Sequence, residues 1–289
     1  VNPILYVGAK PIFIGSESET WNMCPTTLEK VIVQKIQEGK KPKAILFVHL
    51  YGIPAKIDEI ESISKKYDIL LIEDAAESLG SRYKNQLCGT FGDFGIISFN
   101  TNKIITTFGG GALICKTSKL KKKAIFLATQ AKDNAMYYQH STLGYNYRIN
   151  PLAACIGINQ LKLVERNVEL RRENHTFYEQ LFASQNDISV HTIADKEFHS
   201  NYWLTCMIFS GEEGESKRDE LMLFLESRGI ESRLLWKPMN LQPIFKDCPY
   251  FGHNIEEKLF QKGLCLPSGS SLNKEEKTRI TKAVKAFLT

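Results

Sequence analysis

Two near-continuous apolar runs mark the first third of the chain. Residues 43–50 (KAILFVHL) and 69–73 (ILLIE) carry apolar side chains at successive rather than alternate positions. This pattern is typical of parallel strands that are buried on both faces of a sheet. Residues 58–66 lie between the two runs and have helical spacing, with isoleucines on one side. The strand–helix–strand order therefore predicts an α/β fold with a mostly parallel sheet.

The rest of the chain predicts two units of different character. Residues 94–99 and 112–115 add two strands to the first unit, and residues 150–182 form one long or kinked helical region. The later predicted elements are a strand, a helix, a strand and a terminal helix, at residues 202–209, 217–228, 230–235 and 274–287. We therefore expect a large domain over residues 1–168 and a small α+β domain over residues 169–289. The opening stretch has no nucleating strand or helix pair ahead of it, so we expect the large domain to be incomplete at its N-terminal end.

Composition narrows the function classes. The chain has 289 residues, is 43% hydrophobic and 24% charged, and carries a mild net charge of +5, as ordinary globular proteins do. The densest basic run, residues 116–123, predicts a solvated helix face rather than a nucleic-acid stripe. A mildly basic protein also suits a small anionic substrate. No apolar run is long enough to cross a membrane, so neither nucleic acid nor membrane is an expected partner.

Seven cysteines bear on the redox compartment. Their number is odd, and no two form a C-x-x-C pair, so the sequence indicates neither a disulfide framework nor a zinc site. No set of His, Asp, Glu and Cys residues has metal-ligand spacing. Buried thiols in a reducing, cytoplasmic setting are the expectation.

An acidic cluster follows the second buried strand. Glu73-Asp74-Ala75-Ala76-Glu77 comes at the carboxyl end of this strand, where ligands bind in open α/β sheets. Asp74 followed by two alanines leaves room for a flat ring, and a carboxylate beside a ring nitrogen keeps that nitrogen protonated. The alternative is that Asp74 caps the next helix.

A lone lysine and three glycines form the second candidate. Ser98 ends a predicted strand, and Lys103 precedes Gly109-Gly110-Gly111. A lysine in this position is a candidate for covalent attachment of a carbonyl cofactor, and glycines allow close backbone approach or positive φ. The alternative is a solvated loop lysine in a hairpin. Neither a P-loop nor a dinucleotide fingerprint is present.

Together these stretches resemble the sugar-nucleotide aminotransferases of the DegT/DnrJ/EryC1/StrS family. The resemblance includes IEDAAES, the GTFGD run at residues 89–93, SF at 98–99, the lysine and the glycines. It continues through GYNYRINPLAACIGINQL at residues 144–161. The stretches WKPMNLQPIF and GLCLPSG resemble the branch that acts on 4-keto-6-deoxy-N-acetylhexosamine nucleotides. The resemblance to the family spans nearly all of the chain. It implies the aspartate-aminotransferase fold, which is fold type I of the enzymes that use pyridoxal 5′-phosphate (PLP).

The resemblance implies a role for five residues. Lys103 matches the lysine that binds PLP covalently and moves the proton, and Asp74 matches the partner of the pyridine nitrogen. Glu77 matches the position near the phenolic oxygen of the cofactor, and Ser98 matches a phosphate ligand. Asn146 matches a residue that reaches the phosphate in the neighbouring subunit, which implies a homodimer with a shared active site. Ordinary turn chemistry is the alternative for Asn146.

The implied reaction moves an amino group from glutamate to the C4 ketone of a nucleotide sugar, with UDP favoured, for surface glycans or glycoprotein glycans. Amination at C3 stays open. A second alternative is an inactive relative that dimerises or binds nucleotide sugar without chemistry. This alternative arises because the matched segment lacks the family's N-terminal phosphate loop and stacking aromatic residue.

Three further candidates stay open at this point. His49 ends the first apolar run and either touches substrate or is structural. Trp236 and Lys237 either flank the nucleotide of the substrate or belong to a surface loop.

Overall fold

Strands and helices alternate through the first half of the chain, and a second set of strands dominates the other half. The computed structural model describes residues 1–288. Its strands are β1 (Phe13–Ile14), β2 (Ala44–Val48), β3 (Leu70–Asp74), β4 (Arg82–Tyr83), β5 (Gln86–Leu87), β6 (Phe94–Ser98), β7 (Gly111–Cys115), β8 (Ile188–Val190), β9 (Phe198–His199), β10 (Thr205–Phe209), β11 (Arg233–Leu234), β12 (Tyr250–Phe251) and β13 (Gly263–Leu266). Its α-helices are α1 (Asn2–Tyr6), α2 (Pro25–Gln37), α3 (Ile57–Tyr67), α4 (Ser118–Ala128), α5 (Pro151–Leu161), α6 (Val164–Phe182), α7 (Gly214–Glu226), α8 (Ile255–Lys262) and α9 (Lys274–Leu288).

The first half is organised around a four-stranded sheet in the order β2-β3-β6-β7. The first three strands are parallel, and β7 is antiparallel to β6. The isoleucines of α3 pack with β2, β3 and α2 in a core that includes Leu28, Ile32, Phe47, Ile57 and Ile60. The predicted mostly parallel sheet is therefore confirmed. Helix α4 covers most of the predicted helix at residues 116–123, and none of its side chains is buried within this chain.

Antiparallel strands form the second sheet, in the order β11-β13-β10-β8. Helices α6, α7 and α9 pack on it around Tyr178, Met207, Leu221, Leu264 and Val284. The order of elements agrees with the predicted α+β unit.

Two predicted strands are shorter than their apolar patterns. The strand expected from residue 202 begins at Thr205, because Tyr202 has φ +43° and the Asn201 side chain binds the Trp203 amide. The strand expected at 230–235 contains only Arg233 and Leu234.

The connection between the halves is a kinked pair of helices, as predicted. Helix α5 ends at Leu161 and α6 begins at Val164. Pairing also crosses the midpoint of the chain, because β4 joins β9 and β1 joins β12. The domain boundary between residues 168 and 169 falls inside α6 and stays a prediction. Within residues 1–288, no helix combines the length and apolar character needed to cross a membrane.

One partly buried histidine links the start of the chain to the second sheet. The His191 ring stacks on Trp21, with 3.4 Å between ring centroids and 4° between planes. Its Nε2 donates to the Glu19 carbonyl oxygen at 2.9 Å, so Nδ1 carries the lone pair. Within the described residues, the buried Nδ1 has no hydrogen-bond partner. Burial lowers the pKa of His191 from 6.5 to about 4, and it outweighs the opposing effects of the Glu19 carbonyl group and the Glu17 charge.

We expect His191 to reduce stability in mild acid. Its folded-state pKa lies below its unfolded value, so the unfolded chain binds the proton more tightly. The contribution of the neutral ring is complete above about pH 6.5 and is lost as the pH falls toward 4. At pH 5 this linkage amounts to about 2 kcal/mol of unfolding free energy.

Urea unfolding at pH 7 and pH 5 measures this effect. A His191→Phe variant keeps an aromatic ring on Trp21 and lacks the titrating nitrogen. It should lose less stability than the wild type over this interval, by about 2 kcal/mol. Equal losses in the two proteins would contradict the assignment.

Candidate active site

Three parallel strands end at one edge of the first sheet, and this edge carries the candidate site. Because β2, β3 and β6 run in the same direction, His49, Asp74 and Ser98 lie at or just beyond their carboxyl ends. The backbone keeps these ends together, since the His49 amide donates to the Asp74 carbonyl oxygen at 3.2 Å and the Ala75 amide donates to that of Ile96 at 2.9 Å. This is the edge at which parallel α/β sheets bind ligands.

Glu73 and Asp74 point to opposite faces of β3 because side chains alternate along a strand. Glu73 is fully buried and Asp74 is partly exposed. Asp74 Oδ1 accepts from the Ala76 amide at 3.1 Å. Within residues 1–288, its other carboxylate oxygen accepts no hydrogen bond from the protein.

The buried Glu73 carboxylate fastens the loop that precedes β6. It accepts from the amides of Phe91 at 2.8 Å and Gly92 at 3.3 Å, and also from the Gly89 amide. Burial alone would raise the pKa of Glu73, but His49 and these amides hold it below its usual value. The GTFGD run thus forms a loop whose backbone amides donate to the Glu73 carboxylate.

His49 completes this buried cluster, and its contacts support the structural interpretation. Its Nδ1 accepts from the Ala55 amide at 2.9 Å, so Nε2 carries the proton and donates to Glu73 at 2.8 Å. The Cys88 sulfur lies within 4.8 Å of the His49 and Glu73 ligand atoms. The Glu73 oxygens are already engaged by four donors, so the three residues form a hydrogen-bonded cluster rather than an open metal site.

Lys103 lies in the loop after β6, with both neighbouring carbonyl groups held in place. The Asn102 carbonyl oxygen accepts from Trp203 Nε1 at 2.7 Å, and that of Ile104 accepts from Asn167 Nδ2 at 2.9 Å. Only 13% of the Lys103 side chain is exposed. The lysine is therefore part of an ordered loop, unlike a solvated hairpin lysine.

Lys103 and Glu77 face each other across the site. Lys103 Nζ lies 3.8 Å from Glu77 Oε1, and Glu77 Oε2 accepts from the Tyr51 amide at 2.7 Å. Burial lowers the pKa of Lys103, although the charges of Glu77 and Asp74 act in the opposite direction. Burial likewise raises the pKa of Glu77, against the charge of Lys103. Both groups are shifted toward their neutral forms, which favours a nucleophilic amine.

Ser98 ends β6, and the three glycines lead into β7, which pairs with β6. Ser98 Oγ accepts from the Asn100 amide at 3.3 Å, and the Ser98 backbone pairs with Gly111 of β7. Gly109 and Gly110 have φ of +156° and +80°, as the sequence predicted for this triplet. A side chain at Gly111 would place its Cβ 2.3 Å from the Ile97 carbonyl oxygen.

Asn146 occupies a different part of the molecule. It forms an isolated backbone bridge with Thr129, and both Asn146 and Arg148 are exposed. The structure therefore brings Asp74, Glu77, Ser98 and Lys103 to one edge of the sheet but leaves Asn146 on an outer surface.

Two residues that the sequence did not single out connect the second half of the chain to this site. Asn201 is fully buried and donates to the carbonyl oxygens of Glu77 at 3.0 Å and Leu79 at 2.9 Å. Its Oδ1 accepts from the Trp203 amide at 2.8 Å. The only sequence signal for this pair was a polar–aromatic stretch before a strand, SNYWL.

The donor set fits a flat, anionic cofactor that carries an aldehyde. An amine of lowered pKa lies 3.8 Å from the nearest carboxylate oxygen described here, beyond hydrogen-bond distance. Asp74 keeps an oxygen free for a ring nitrogen, and the small Ala75 and Ala76 follow it. Ser98 and the glycine backbone are suitable for a phosphate group. When PLP is bound, it supplies an aldehyde for covalent attachment and a ring that withdraws electrons from the substrate carbon.

Comparison with known proteins agrees with this chemistry. The model of the DegT/DnrJ/EryC1/StrS aminotransferase family matches residues 1–285. EpsN of Bacillus subtilis, provisionally named a pyridoxal phosphate-dependent aminotransferase, is 44% identical over 283 residues, which cover 96% of this chain and 72% of EpsN. GDP-perosamine synthase of Escherichia coli O157:H7 is 34% identical over 287 residues, which cover 99% of this chain and 75% of the synthase.

A solved structure shows the same fold. The crystal structure of a DegT DnrJ EryC1 StrS aminotransferase from Brucella abortus has a TM-score of 0.90 at 26% identity, covering 99% of this chain and 75% of that one. The fold is therefore that of PLP-dependent transferases of fold type I. On both sequence and structure, the chain belongs to the DegT/DnrJ/EryC1/StrS family of PLP-dependent sugar aminotransferases.

Proposed function

We propose that this protein uses PLP to move an amino group from glutamate to the C4 ketone of a 4-keto-6-deoxy-N-acetylhexosamine nucleotide. The observation that carries the proposal is the lysine amine 3.8 Å from Glu77, beside the end of β3 that bears Asp74, in a member of this family. Lysine and carboxylates at one sheet edge are the groups that amino transfer through PLP requires.

Each site residue receives a role in this proposal. Lys103 holds the cofactor covalently and moves the proton at the substrate carbon, and Asp74 keeps the ring nitrogen protonated. Glu77 lies near the phenolic oxygen, and Ser98 binds the phosphate. Asn146 binds the phosphate of the PLP that is held in a neighbouring subunit. The lowered pKa of Lys103 increases the fraction of free amine at neutral pH, which both covalent attachment and proton transfer require.

The substrate is proposed from resemblance. GDP-perosamine synthase is named for a nucleotide-linked amino sugar, which supports a nucleotide-sugar acceptor and makes GDP the competing nucleotide. We favour UDP because the stretch from Trp236 resembles the branch that uses N-acetylhexosamine nucleotides. The product would serve surface glycan or glycoprotein glycan synthesis, and the enzyme would act in the cytoplasm.

Replacing Lys103 should abolish covalent cofactor attachment. With saturating PLP, the wild type should show the absorbance band of the lysine-bound cofactor, and glutamate should bleach it. The Lys103→Ala variant should lack the band while its circular dichroism spectrum stays unchanged. Lys121→Ala, which removes an exposed lysine of α4, is the matched control and should keep the band.

The outcomes of these measurements decide between the candidate functions. A band that persists in Lys103→Ala would mean that another lysine binds PLP. No band in folded wild-type protein would favour the inactive relative. A band that glutamate bleaches, followed by transfer of ¹⁵N from labelled glutamate to a UDP-linked 4-keto sugar, would support the full proposal. If the labelled nitrogen is found at C3 of the product, the proposed position of amination is wrong. If only the GDP-linked sugar reacts, the proposed nucleotide is wrong.

We further propose that the protein is a homodimer whose partner covers an apolar outer face. This face is formed by β7, α4, α5 and residues 136–149, and its exposed side chains include Leu113, Ile125, Tyr147, Leu152 and Ile158. Large apolar side chains that are exposed together on one part of a protein are a mark of an interaction site. Asn146 lies within the same face, as a residue that completes a neighbouring site would.

A charge placed on this face should prevent association. Ile158 is 60% exposed on α5, and Leu223 is 60% exposed on α7, on the opposite half of the chain. We expect Ile158→Asp to convert the dimer to monomer in light-scattering or sedimentation measurements, because the interface would bury an unpaired charge. Leu223→Asp should leave the mass unchanged. A monomeric wild type, or equal effects of the two substitutions, would contradict the proposal.

A further inference from the structure

We propose that Trp203 is a positioning residue for Lys103. Its indole face packs against the Lys103 amine beside Glu77, and its ring N–H holds the loop that carries the lysine. The catalytic meaning of this contact rests on the proposed role of Lys103, whereas the contact itself does not.

The contact places a cation over an aromatic face. Lys103 Nζ lies 3.9 Å from the centroid of the Trp203 ring, within the range of a favourable cation–π interaction. Trp203 is 2% exposed. The ring thus excludes water from one side of the lysine, while Glu77 lies 3.8 Å away.

Three hydrogen bonds fix the orientation of Trp203. Its amide donates to Asn201 Oδ1 at 2.8 Å, and its carbonyl oxygen accepts from the buried Arg171 guanidinium. The indole Nε1 donates to the Asn102 carbonyl oxygen at 2.7 Å. The last bond joins the tryptophan ring directly to the residue immediately before Lys103.

The surroundings of Trp203 explain how the lysine is kept partly dehydrated. Ile104, Ile105 and Val168 pack in the same buried cluster. The charged groups that act on Lys103 are Glu77 and Asp74. Both carboxylates favour the ammonium form, so the net lowering of the Lys103 pKa reflects burial.

A free amine needs such a site whenever it is not bonded to cofactor. A lysine has several rotatable bonds and loses considerable entropy when it is held in one position. A rigid aromatic face lowers that loss at the moment of reaction and keeps Nζ within the cleft. Leaving the amine in solvent would raise its proton affinity and slow attack on an aldehyde.

NMR of the cofactor-free protein tests the contact directly. In protein labelled with ¹³C-lysine, the ε-CH₂ protons of Lys103 should lie upfield of the other lysines because of the indole ring current. The signal is assigned by its loss in Lys103→Ala. Its pH titration should give a pKa below the ordinary lysine value, in the direction that burial causes.

Reductive methylation with formaldehyde and cyanoborohydride tests the positioning role without PLP. Trp203→Ser should let water reach Lys103, abolish the upfield shift and raise the pKa. It should therefore slow methylation of Lys103 at neutral pH on the order of tenfold relative to Lys121 in the same sample. Trp203→Phe keeps a ring face and should stay closer to the wild type in both measurements.

The outcomes separate this inference from the proposed function. Ordinary chemical shifts for Lys103 in the wild type would overturn the inference, even if neither variant folds. So would a folded Trp203→Ser whose lysine shift, pKa and methylation rate match the wild type. If the upfield signal is present but PLP forms no lysine-bound band, the proposed function fails and the contact stands.

Discussion

The buried carboxylate of Glu73 holds together the edge on which the rest of the site depends. A charge removed from water is tolerated only when paired and hydrogen-bonded, and Glu73 is held by His49 and by the amides of Gly89, Phe91 and Gly92. These donors come from the end of β2 and from the loop before β6. One residue of β3 therefore fixes the end of β2 and the loop that leads into β6. Asp74 is the next residue, so its position on the opposite face of β3 is fixed as well.

Burial also governs the electrostatics of the neighbouring pair. A solvated lysine and glutamate at 3.8 Å would both be charged, but Lys103 and Glu77 are each shifted toward neutrality. The cause is the same for both, namely displacement of water from the cleft. Glu77 keeps one oxygen on the Tyr51 amide, so the carboxylate stays ordered whichever group carries the proton. The arrangement is suited to an amine that must alternate between bonded, free and protonated states.

The strands at the edge of the sheet could be predicted from the sequence, whereas the distant residues that hold the Lys103 loop could not. Apolar runs and helical spacing are local signals, and they were sufficient to predict β2, β3, β6 and α3 and to place the acidic cluster and Lys103 at strand ends. The residues that hold the lysine loop have no local signal. Trp203 reaches Asn102 across 101 positions, and Asn201 reaches Glu77 across 124. The same reason explains the late start of β10, where a side-chain bond from Asn201 replaced strand pairing.

The second half of the chain is joined to the site by hydrogen bonds in which side chains donate to backbone carbonyl oxygens. Trp203 and Asn201 bind carbonyls of the first half, while Arg171 and Asn174 of α6 bind carbonyls of Trp203, Ser268 and Gly269. Such bonds are directional and buried, so breaking one leaves a polar group unsatisfied. Ion pairs on a solvated surface would tolerate sliding, because they are weak and screened. The position of the Lys103 loop therefore depends on residues about a hundred positions away as well as on the strand that precedes it.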